Sequence, residues 1–117
     1  MKRDDDLIRT LLLEFEAEDD WLIMLPGTTK GASEEDRLKL GHIYLLMDSG
    51  LMVRVGNSTA RLTAQGHDFL KAIHDDNIWK KTRDGAAAVG GLTLGLLKDL
   101  AVGYLKQELA EKTGIQI

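Results

Sequence analysis

Three groups of side chains have the chemistry to hold an ion or a phosphate: Asp4-Asp5-Asp6, the pair His67 and His74 with Asp68, Asp75 and Asp76, and Arg54 with Arg61. Successive carboxylates can ligate a hard divalent cation, but no further carboxylate follows Asp6 at ligand spacing. At the start of a helix the same aspartates cap free N–H groups and oppose the dipole, and that is the expectation here. Seven residues on a helix separate His67 and His74 by about 10 Å, too far for both imidazoles to reach one ion. No third histidine stands at suitable spacing, so no metal, cofactor or catalytic residue is assigned. The sequence has no cysteine, which removes disulfides and thiolate sites.

The arginines carry the remaining chemistry. Leu51 to Val55 and Thr59 to Leu62 are rich in branched residues and flank Gly56-Asn57-Ser58, a hairpin signal. Arg54 and Arg61 on that hairpin, with Asn57 and Ser58 at its tip, can hold a phosphate backbone. They equally suit solvated edge charges that discourage strand pairing. Arg37 and Lys39, on the preceding helix, are the other basic candidates, with His42 beside them.

The elements that must position these residues read in order. Asp4 to Ala17 forms a helix with Leu7, Ile8, Leu11, Leu12 and Phe15 on one face. Trp21 to Leu25 is a short apolar run compatible with a brief strand, Pro26-Gly27 turns, and the residues to Ala32 are loop. Ser33 caps a helix that runs to about Ser49 and stops at Gly50. Thr63 caps a helix over 64–74, and Asp75 or Asp76 caps a short helix carrying Ile78 and Trp79. The small residues of 85–91 read as a hinge. A last helix runs from about Leu92 to Lys112. The domain organisation expected is 1–84, followed by the hinge and C-terminal helix over 85–117, packed on the same domain or on a dimer partner.

These elements resemble known proteins at two levels. His42, Ile43, Leu46, Gly50 and Leu51, then Arg61, Leu62, Thr63 and Gly66, match the pattern His-Leu-x-x-Leu-x-x-x-Gly-Leu, hairpin, Arg-Leu-Thr-x-x-Gly of bacterial winged-helix repressors. Over nearly its full length the chain also resembles the bacterial family called domain of unknown function 2513. The stretches carrying that likeness are MKRDDDLIR, GHIYLL with SGL, RLTAQGHDFL, AIHDDNIWKKT and GGLTLGLLKDLA. The resemblance implies a mainly α fold, a winged helix with a two-stranded β-wing and a C-terminal helical extension, in a prophage or mobile-element setting. It implies no activity.

The expected reading helix departs from the repressor pattern. Leu40-Gly41 and Tyr44 stand where repressors commonly have Ser-Arg and Lys. At 100° per residue, Leu40, Ile43, Leu46 and Met47 form the core side. Glu34, Leu38, Gly41, His42, Leu45 and Ser49 form the other. Base edges are read by donors, which that second face lacks. Leu38, Gly41 and Leu45 instead suit helix packing, against a partner or against the chain's own last helix. That last helix is apolar almost all round, and Leu92, Leu96, Val102 and Leu109 exceed what one packed face needs.

Charge agrees with this. Residues 1–36 hold 4 Lys/Arg against 11 Asp/Glu, whereas residues 37–117 hold 11 against 8, which leaves a net charge of −4. The acidic front repels phosphate. The charged start lacks a secretory signal, and the longest uncharged stretch is too short to span a bilayer. The expectation is therefore a cytoplasmic, non-enzymatic accessory protein without membrane contact. It would act through an unidentified protein partner, as a homodimer built partly on Leu92–Leu109. The alternative is a dimeric winged-helix regulator binding duplex DNA through Arg37, Lys39, His42, Arg54, Asn57 and Arg61.

Overall fold

Short polar side chains open all five helices, each by accepting a backbone N–H that the first turn leaves without a partner. The computed structural model describes residues 1–115. Asp4 accepts from Asp6 and Leu7 to start α1 (Asp5–Ala17), so the triple aspartate is a cap. Ser33 accepts from Asp36 at α2 (Glu34–Asp48), and Thr63 from Gly66 at α3 (Ala64–Ile73). Asp75 and Thr93 do the same for α4 (Asp76–Ala88) and α5 (Leu94–Thr113). Gly114 closes α5 in the left-handed conformation.

The sheet has three antiparallel strands, β1 (Ile23–Met24), β2 (Met52–Arg54) and β3 (Thr59–Leu62), in the order β1-β3-β2. The short run after α1 is thus a third strand, pairing Ile23 with Ala60 and Met24 with Thr59. β2 and β3 form the expected hairpin, with Val53 opposite Arg61 and Arg54 opposite Ala60. At the tip the Thr59 hydroxyl donates to the Val55 carbonyl.

Two compact units divide the chain after His67. The first holds α1, β1, α2 and the hairpin around Ile8, Leu11, Leu12, Ile43, Leu46, Leu51, Met52 and Ala60, all buried. Residues 26–32 form turns, so one helix stands between β1 and β2, where a helix-turn-helix places two. Gly27 permits this: a Cβ there would lie 2.6 Å from the Asp36 carbonyl oxygen.

The second unit pairs α4 with α5. Trp79, Thr82 and Ala86 of α4 and Leu94, Leu97 and Ala101 of α5 are buried. The hinge expected from Gly85 is instead the last turn of α4. A Cβ on Gly85 would come within 3.1 Å of Leu100 and 3.2 Å of the Tyr104 hydroxyl, so this glycine permits close helix approach. The chain breaks only at Gly90-Gly91, both with positive φ. Leu92 consequently precedes the α5 cap and lies outside the helix.

Candidate interaction site

The apolar spacing of α2 placed Ile43 and Leu46 in the core correctly and put His42 on the wrong face. The buried residues are His42, Ile43 and Leu46, whereas Leu40 and Met47 are half-buried. The N-terminal segment accounts for His42. His42 is fully buried; its Nε2 accepts the Asp4 N–H at 2.9 Å, and its Nδ1 faces the Leu38 carbonyl at 2.8 Å. An amide can only donate and a carbonyl can only accept, which fixes the neutral Nδ1–H tautomer. His42 therefore latches α1 to α2 and does not face a ligand. The Met1 thioether covers Gly41, 2.7 Å from where a Cβ would stand.

Helical spacing places Arg37, Tyr44 and Asp48 outward on one stripe, with Gly41 between them under Met1. Leu38 flanks them, exposed, and Leu45 is half-buried. Tyr44, which stands where repressors commonly have Lys, is the hub of this surface. The Arg54 guanidinium donates to its hydroxyl at 3.1 Å and to the Asn57 carbonyl at 2.8 Å, and lies 5.7 Å from its ring centroid. The wing is thereby tied to α2, by contacts of the hydrogen-bond and cation–π kind.

Arg61 joins neither residue. Directly opposed residues share a sheet face and neighbours along a strand alternate. Arg61 therefore sits with Val53 on the outer face, and Arg54 sits with Ala60 on the other. Arg61 donates to the Leu62 carbonyl at 3.2 Å. The two arginines do not form one clamp. Lys39 is 3.8 Å from Glu35 in an i,i+4 ion pair, so it too faces an acid.

The Arg-Leu-Thr-x-x-Gly motif has a local structural cause. The Thr63 N–H donates to the Leu51 carbonyl at 3.1 Å, and its hydroxyl donates to the Gly50 carbonyl at 2.6 Å while accepting from Gly66. Gly66 packs so closely on Leu51 that a Cβ would meet its carbonyl oxygen at 2.0 Å. Thr63 and Gly66 clasp the end of α2, the end of the hairpin and the start of α3.

In the second unit, the residues expected on a partner surface separate. Leu96 and Leu109 are exposed, at 53% and 40%, while Val102 is half-buried. Asp75 is held below the ordinary aspartate range, first by its bond from the Ile78 N–H and further by the Asn77 N–H and Lys112. Lys112 is raised by its 2.8 Å pair with Glu108. Among the described residues, no group of three or more His, Asp or Glu could hold a metal ion. No helix there is long and apolar enough to cross a membrane. Trp21 and Met24, of the short apolar run expected as a brief strand, are exposed at 66% and 75%.

Comparison with known proteins identifies the family. The family model described as hypothetical protein (DUF2513) matches residues 2–93, and the chain belongs to that family. An uncharacterised protein of Haemophilus influenzae is 30% identical over 120 residues, which cover 94% of this chain and 100% of the relative. No solved structure matches the chain.

Proposed function

We propose that this member of the DUF2513 family is a non-enzymatic accessory protein that acts through protein contacts on a winged-helix scaffold. The order α1-β1-α2-β2-β3, with α2 leading into an antiparallel hairpin, supports the scaffold. In this reading α2 corresponds to the reading helix and β2-β3 to the wing.

One observation carries the choice between protein and DNA. Most of the candidate donors already have a partner: Arg54 bonds Tyr44 and Asn57, Arg61 gives one bond to Leu62, Lys39 stands beside Glu35 and His42 is inside the core, while Arg37 is exposed on α2. Phosphate contact rests on free guanidinium and ammonium groups, and base reading on exposed donors. The outward α2 stripe offers Arg37, Tyr44 and Asp48. Exposed Leu38, Leu96 and Leu109 suit protein surfaces instead. Leu96, exposed on α5, also supports a homodimer through that helix, where a twofold axis would pair like with like; Leu109 lies about 140° round the helix from it.

Titration of a labelled duplex by fluorescence anisotropy tests the reading. The expectation is no saturable binding at low salt. Tight binding that falls steeply with salt, and weakens in Arg54→Ala, would establish the regulator instead.

A further inference from the structure

The corner where α1 gives way to β1 lies apart from the α2 stripe and combines three properties. Its charge is predominantly acidic: no Lys or Arg stands between Arg9 and Lys30, while Glu14, Glu16, Glu18, Asp19 and Asp20 fall within seven positions, and from α2 Asp36 and the Glu35-paired Lys39 border it. It exposes large apolar side chains. β1 turns Ile23 into the core and Met24 out of it, and Trp21 stands exposed just before the strand. It is also concave. Phe15, Glu18 and Ile23 line two adjoining hollows of about 260 and 250 Å³, the first reaching Met24 and Pro26, the second Trp21 and Asp19.

Isolated exposed apolar residues are ordinary on a protein surface. Here they border hollows with apolar floors and acidic rims, which is the anatomy of a contact site with an aromatic anchor. Each hollow is below the roughly 300–1,000 Å³ of small-molecule pockets and suits one large side chain. The acidic rim selects the partner's charge. Nucleic acid and anionic lipid headgroups are repelled, and Lys or Arg is attracted.

We infer that this corner docks a basic peptide segment of a partner protein. A large apolar side chain of the segment fills a hollow beside Phe15, and its Lys or Arg residues lie on Glu14, Glu18 and Asp19. This rests on the protein-contact reading above and names the partner's chemistry.

Panning a random-peptide phage library on the full chain tests it, with enriched peptides then measured by anisotropy. Enriched sequences should carry Lys or Arg around an aromatic or large aliphatic residue, and their affinity should fall with salt. Binding should weaken about tenfold or more in Trp21→Ser with Met24→Ser, and in Glu14→Lys with Glu18→Lys. These positions are at the surface, and unchanged circular dichroism would show the variants folded. Val89→Ser, at an exposed apolar side chain outside every surface named above, should bind as the parent does. No enrichment, enriched peptides lacking basic residues, or double variants that bind normally would each overturn the proposal. Peptides lost in Leu38→Ser or Leu96→Ser but not in the corner variants would remove this corner and leave the protein-contact reading standing. Tight, salt-sensitive binding of duplex DNA would remove that reading as well.

Discussion

Gly66 shows how much one hydrogen atom in place of a methyl group decides. Its backbone lies against Leu51 so closely that Gly66→Ala forces the clasp apart. Overpacking of this kind costs about 3 kcal/mol or more, read as a lower urea midpoint with an unchanged m-value. Thr63→Val keeps the shape and loses both hydroxyl bonds, so a cost of about 1–2 kcal/mol is expected in the same assay. Asp75 gives a pH dependence of known sign. Its carboxyl is held below the ordinary value of 3.8 in the folded chain, so the cap's contribution is full above that value. It is lost as pH falls through the depressed folded value. Acid unfolding of Asp75→Asn should accordingly be shallower below about pH 4 than that of the parent, measured by circular dichroism. The caps were visible in the sequence because a cap is a local bond between neighbours. The inward turn of His42 was not, since its partner Asp4 lies 38 residues away and helical periodicity carries no record of it.

The wing and α2 behave as one element because Arg54 bridges them. Tyr44→Phe removes the hydroxyl that accepts from Arg54 but keeps the ring beneath it. Global stability should change by less than about 0.5 kcal/mol, as for most surface substitutions. Amide exchange should quicken locally at Val53–Asn57, and that measurement separates a local tether from a core contact. The hairpin itself was readable from its branched residues and its Gly-Asn-Ser tip. The opposite facing of Arg54 and Arg61 was not, because it depends on strand register: a slip of one residue would have placed both on one face. Gly85 teaches the same lesson in a helix. A glycine among alanines reads as a hinge until the partner helix is known, and here Leu100 and Tyr104 stand against it.

Across the whole chain, charge is divided so that the front is acidic and the remainder slightly basic. The proposed homodimer predicts a mass by light scattering twice that of the chain, shifting toward monomer in Leu96→Asp. A strict monomer at high concentration would refute it. The mainly helical class and the order of elements were readable, since both follow from periodicity and turn residues. The exposed Trp21 and Met24 were not: composition says that an apolar run exists, and only the alternation of β1 and its place at the sheet edge say which members reach water.

The Thr63–Gly66 clasp also defines a closed loop. With Gly50 and Leu51 joined to Thr63, the hairpin between them is anchored at its base, and Asn57-Ser58 at its tip is exposed. Lengthening a loop whose ends are already held costs only logarithmically, about 0.6 kcal/mol per doubling. An epitope or a fluorophore inserted at Asn57-Ser58 therefore leaves the base locked, and its cost falls on the two tip bonds, from Arg54 to the Asn57 carbonyl and from the Leu25 N–H to the Ser58 carbonyl. The same insertion between Leu62 and Thr63 would open the base.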